Sequence, residues 1–229
     1  MRCFWILLPL LLLAACSTYK GGAPAPADKP DSETPHINEG EIHADLIKQM
    51  LDNGQYYAAL AHIEDQKRSG SSDELVLLEA DARRHLGQQT QADALYRKLL
   101  DTRYAAQAYH GLGKLYVATD LEGAIHNLRT AVERAPTEVD FRNDLGYALM
   151  EAGRYTEANL QLSTAAELAP NQLKGRNNLI ILMMLVGNED AVRQLAQESA
   201  TTPEMMKQLR DSAQSIRDKQ KARAAKAAG

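Results

Sequence analysis

Along most of this chain, apolar positions recur at intervals of three and four residues, the spacing that gathers side chains onto one face of an α-helix. Beyond about Gly40 these segments come in pairs joined by short turns. Gly54, Gly87, Gly153 and Gly187 each stand between two such segments, 33, 66 and 34 residues apart. The missing member of the series falls at Thr119-Asp120, a tight turn without glycine. No segment alternates with period two and β-branched enrichment, so no strands are expected. The pattern predicts an all-α solenoid of about five helix–turn–helix repeats.

The clearest copy is NDLGYALMEAGRYTEANLQLSTAAELAP, from Asn143 to Pro170. Leu145, Gly146 and Leu149 form the inner stripe of its first helix, Gly153 turns the chain, and Tyr155 packs over the turn. Ala158, Leu162 and Ala165 face back from the second helix, and Pro170 ends the unit. Gly146 and Ala158 are small because two helices cross closely there. The preceding copy repeats this with Leu112, Gly113, Tyr116, Ala124, Leu128, Ala131 and Pro136. The following one has Leu179, Ile180, Met183 and Gly187, and earlier copies lie at Leu46–Ile63 and Leu75–Leu99. A period near 34 residues with this content is the mark of tetratricopeptide (TPR) repeats. Ser71 with Glu74 is expected to cap one first helix and Thr137 the next.

The two ends depart from the repeat. Phe4–Ala15 is apolar throughout, broken by Pro9, and follows Arg2. As a helix it would rise about 18 Å, short of the roughly 30 Å hydrocarbon core, so it reads as a secretory signal. Leu13-Ala14-Ala15-Cys16 resembles the lipobox of bacterial lipoproteins, which implies cleavage before Cys16, its lipidation, and anchoring in a membrane through acyl chains. A plain signal with an incidental cysteine is the alternative. In that family Ser17, rather than aspartate, implies the outer membrane. Ser17–Gly40 carries Gly21, Gly22, Pro24, Pro26, Pro30 and Pro35 with few large apolar residues, the composition of a disordered tether. The expected organisation is a signal over 1–15, lipidated Cys16 and tether over 16–40, the solenoid over 41–201, and a C-terminal capping helix with a basic tail over 202–229. Cys3 would leave with the signal, so no disulfide is expected.

Thr202-Pro203 opens the last helix, whose Met206, Leu209, Ala213 and Ile216 share one face. It is expected to cover the open end of the solenoid. Beyond it, Arg217, Lys219, Lys221, Arg223 and Lys226 face Asp218 alone, which reads as a solvated, fraying end.

Charge and chemistry narrow the function classes. Without Arg2, 25 basic residues face 30 acidic ones, a mildly acidic surface that argues against broad nucleic-acid binding. The histidines show no metal-ligand spacing, and no nucleophile motif occurs. GLGKLY at Gly111–Tyr116 lacks the rest of a phosphate loop, and Leu112 and Gly113 have packing roles. Neither an enzyme nor a cofactor, metal or small-molecule substrate is expected.

A helical solenoid instead offers a concave face lined by the first helix of each repeat, suited to protein partners. Alignment with the repeat family places Gln107, His110, Lys114 and Val117 there, then Asp140, Asn143, Tyr147 and Met150, then Lys174, Asn177, Ile181 and Met184. Of these, Asn143, Tyr147, Met150, Lys174, Asn177, Ile181 and Met184 are the candidate partner-binding groove. In NNLIILMMLVG, from Asn177 to Gly187, Leu179, Ile180, Met183 and Val186 supply the stripe that helix pairing needs. Ile181, Met184 and Leu185 are apolar beyond that need. Two readings stand: an open strip that receives a partner segment, or a strip covered by the C-terminal helix.

Signal, lipobox, tether and repeats together resemble the outer-membrane lipoproteins of the Tad (Flp) pilus assembly system, the TadD type. GRYTEA at Gly153–Ala158 and RNNL at Arg176–Leu179 are similar to the last two repeats of those proteins. The resemblance implies a helper in targeting or assembly of the pilus secretin, facing the periplasm from the outer membrane. The alternative is a general outer-membrane adaptor for envelope or peptidoglycan-modifying enzymes.

Overall fold

The structure, a computed structural model, describes residues 39–228. The signal, Cys16 and almost all of the tether lie outside the described residues.

Five helix pairs follow one another: α1 (Glu39–Asp52) with α2 (Tyr56–Ser69), α3 (Asp73–His85) with α4 (Gln89–Lys98), and α5 (Ala105–Tyr116) with α6 (Leu121–Arg134). Then come α7 (Val139–Glu151) with α8 (Tyr155–Leu168), α9 (Leu173–Val186) with α10 (Glu189–Glu198), and finally a long α11 (Pro203–Ala228). The described residues contain no strand. Four of the five pairs turn on a glycine in the left-handed region: Gly54, Gly87, Gly153 and Gly187 have φ between +72° and +75°. At each, the next N–H reaches back five residues, as from Gln55 to the Met50 carbonyl (2.8 Å) and Arg154 to Leu149 (2.9 Å). A side chain in this backbone region is strained, so glycine is what the turn needs. Between α5 and α6 the Asp120 carboxylate does the work instead, accepting from the Gly123 N–H at 3.0 Å.

Close crossing within pairs explains the small residues. A Cβ on Gly146 would stand 2.6 Å from the Leu162 side chain, and one on Gly113 would stand 2.5 Å from Leu128. The core is a string of local clusters, one around α1–α3, one around α3–α5 and the largest from α6 to α11, as expected where each repeat packs on its neighbours.

Three expectations are corrected. Ser72, not Ser71, caps α3 by accepting from the Leu75 N–H at 3.2 Å, and Glu74 turns away to the Lys48 ammonium at 2.7 Å. Thr137 does not cap α7, whose N-cap is Glu138, without a side-chain bond. Val186, assigned to the packing stripe of α9, is 47% exposed at the last turn, while Ile181 and Leu182 are buried.

Candidate functional site

First helices α1, α3, α5, α7 and α9 present their side chains to the inner face, which has two contrasting halves. Toward the N-terminus it holds a cavity of about 280 Å³, lined by Lys48 and Asp52 of α1, Asp81, Arg84 and His85 of α3, and His110 and Lys114 of α5. Its wall is braced from behind by Tyr96 of α4. That phenol is fully buried, donates to Asp81 Oδ1 at 2.6 Å, and accepts from Arg84 Nε at 3.1 Å. Burial, with the Asp81 charge, pushes the phenol's pKa up. Gly111 makes room for it: a Cβ there would stand 2.3 Å from the Tyr96 ring. His85 stacks on Tyr56 (4.5 Å between centroids), and burial, then the Arg84 charge, lowers its pKa.

Asp144 is the hub of the middle. It accepts from His110 Nε2 at 2.8 Å and Lys174 Nζ at 2.9 Å, with Lys114 Nζ at 3.8 Å. Burial alone would raise its pKa, but the His110 hydrogen bond and the Lys174 charge outweigh it and hold the carboxyl well below the usual range. Lys174 also reaches Asp140 at 3.3 Å, and His110 stacks on Phe141 at 4.3 Å. Repeat alignment identified His110, Lys114, Asp140 and Lys174 as inner-face residues; Asp144, which joins three of them, it did not. A spacing of 34 residues between His110 and Asp144, one repeat, is the signal that could have found the pair.

The C-terminal half is covered. Helix α11 packs on α9 and α7, across the inner face, and does not continue the stack on α10. Leu209, Ala213 and Ile216 are buried there, and Ile181 and Met184 of the apolar surplus of α9 are buried with them, Leu185 partly so. Of the seven candidate groove residues, Met150 and Asn143 are fully buried, and Ile181 and Met184 nearly so. Tyr147 is half-buried, with its pKa raised by burial and then by the Glu151 charge. Asn177 lies 3.9 Å from the Met205 sulfur of α11, and Lys174 alone is exposed. The strip is therefore closed in this structure, because the face left apolar after stacking is apolar enough to take another helix. Asn143 faces Gly175, and neither of its amide atoms has a partner.

The basic tail is not a solvated end. Lys219 Nζ and Arg223 Nη2 hold the two oxygens of Glu151 at 2.5 and 2.9 Å, and that carboxylate is 1% exposed. Arg217 donates to the Met184 carbonyl at 2.5 Å, Gln220 to that of Met150 at 2.7 Å and Arg223 to that of Glu151 at 3.0 Å. These carbonyls belong to the last turns of α7 and α9, neither of which carries a basic residue of its own there. Carbonyls at a helix end keep spare accepting capacity, which together with the dipole attracts cations, and α11 supplies them.

Among the described residues no group of three or more His, Cys, Asp or Glu side chains could hold a metal ion. A family model described as tetratricopeptide repeat matches residues 115–177. The chain is 32% identical over 191 residues to the TPR repeat-containing protein PA4299 of Pseudomonas aeruginosa, covering 80% of this chain and 76% of that protein. It belongs to the TPR repeat proteins. Among solved structures, the thermophilic TPR protein TTC0263 of Thermus thermophilus superposes with a TM-score of 0.62 at 22% identity, covering 77% of this chain and 97% of that one. MamA superposes with a TM-score of 0.55 at 16% identity, over 71% and 95%. Both structures share the fold.

Proposed function

We propose that this TPR protein is a non-enzymatic scaffold held at the outer membrane by a lipidated Cys16, facing the periplasm, and that it assists targeting or assembly of the secretin of a Tad (Flp) pilus. As a TPR protein it is a protein–protein interaction scaffold, and the finer reading rests on the residues. A cysteine closing an apolar run after small residues supports the anchor, and Ser17 after it supports the outer membrane. The observation that carries the binding role is the open half of the inner face, a polar cavity bordered by lysines of two helices, Lys48 and Lys114, and leading to the Asp144 hub. A partner segment lying there would exchange its polar groups against Lys114 and Lys174, both of which keep exposure. Removing the protein from a strain that makes the pilus should lower the amount of secretin multimer in the outer membrane. Unchanged multimer would sink the pilus reading and leave the general envelope adaptor.

A further inference from the structure

Helix α11 has the chemistry of a bound ligand more than that of a repeat. It is 26 residues long, yet its buried contact from Leu209 onward is three side chains, Leu209, Ala213 and Ile216. Everything beyond Ile216 is attached through polar groups: Arg217, Lys219, Gln220 and Arg223. The receiving surface is made of acceptors, namely the Glu151 carboxylate and the last carbonyls of α7 and α9. A carboxylate as buried as Glu151 needs cationic partners, and both of the ones it has come from α11.

The joint that delivers α11 is a locally strained turn. Ala200, between α10 and α11, is the one non-glycine residue among those described with positive φ, at +48°. The adjacent Ser199 hydroxyl is buried without a hydrogen-bond partner. Both are local costs carried by the turn that ends α10 and leads into α11.

We infer that α11 is a displaceable internal occupant of the inner face, and that its release opens a site for a partner's basic amphipathic helix. That helix would carry apolar residues spaced like Leu209, Ala213 and Ile216, followed within two turns by lysine or arginine to reach Glu151 and the two helix ends. Charge complementarity sets this choice: an acidic or purely apolar segment would leave Glu151 buried and unpaired. The inference rests on the inner face being the partner-binding surface and not on the pilus assignment.

The test uses the full chain and a fluorescently labelled peptide of residues 203–227 as the probe, with no pilus component, so it can fail while the secretin experiment succeeds, or the reverse. Wild type should bind the peptide weakly, because its own α11 fills the site. Lys219→Glu with Arg223→Glu in the full chain should free the site and tighten peptide binding at least tenfold. The same two changes placed in the peptide should abolish binding. Equal affinity of variant and wild type would overturn the inference. Hydrogen exchange on wild type provides a readout that survives a misfolded variant. Residues 203–227 should exchange together and at least tenfold faster than α7 and α9; exchange at the same rate as those helices would make α11 a fixed part of the fold and overturn it. A wild-type dimer by light scattering, with no peptide bound by either form, would assign the site to a second copy's α11 and also overturn it.

Discussion

Gly111→Ala tests how tightly the back of the inner face is built. A methyl group at Gly111 would overlap Cε1 and Cζ of Tyr96 at 2.3 Å and Cδ1 at 2.9 Å, well inside van der Waals contact. The ring cannot simply tilt, since it is fully buried and its hydroxyl is tied to Asp81 and Arg84. Overpacking of this kind costs about 1–3 kcal/mol, and loss of one hydroxyl bond adds about 1 kcal/mol. Replacing a helical glycine by alanine returns about 1 kcal/mol of backbone propensity. The net expectation is about 1–3 kcal/mol of destabilisation, or a fall in melting temperature of about 2–12 °C for a domain of this size. Thermal melts followed by far-UV circular dichroism measure it. Gly70→Ala is the control, because nothing lies within 4 Å of a Cβ there. In a Tyr96→Ala background the Gly111→Ala penalty should disappear, since the clashing atoms are gone. An unchanged melting temperature, or an equal penalty in both backgrounds, would refute the packing argument.

Other outcomes follow from the same geometry. The folded pKa of Asp144 is depressed, so its contribution to stability is present above the unfolded value of about 3.9 and is lost as pH falls below it. Urea unfolding from pH 6 to pH 3 should show the onset of this loss, and Asp144→Asn should make the profile less steep. Ile181→Glu places a carboxylate under α11 and should destabilise by about 1–5 kcal/mol, seen as a lower urea midpoint. Met184→Glu should fall in the same range, because Glu189 and Asp211 line its cavity along with Arg210 and Arg217 and offset their charge. Cys16→Ala should release the protein from the outer-membrane fraction and abolish palmitate labelling; continued labelling would remove Cys16 as the anchor.

Much of the fold was legible because its determinants are local. A left-handed glycine, a helix stripe and a small residue at a crossing act over a few residues, and a repeat period near 34 shows them several times over, so Gly54, Gly87, Gly153 and Gly187 mark their turns in the sequence itself. Capping at Ser72 in place of Ser71 is the limit of that resolution: two serines side by side differ only in which one the helix start reaches. Gly111 was equally visible as a letter, but its reason is the ring of Tyr96, fifteen positions earlier on another helix.

The site was legible in part. Alignment along the repeats located Lys114, Lys174 and His110 on the inner face, because equivalent positions recur. What joins them, Asp144, depends on side chains of successive repeats meeting across α5, α7 and α9. The place of α11 stood in the sequence only as one of two readings. Its own pattern fits either a lid on the end of the stack or a cover for the inner face, and the contacts that decide between them span 65 to 72 positions, from Tyr155 and Glu151 to Gln220 and Arg223. Which surface is still apolar and still short of cations is settled only after the other helices have stacked. The repeat was therefore written in the chain, while the covering of its inner face was decided by what that stacking left unsatisfied.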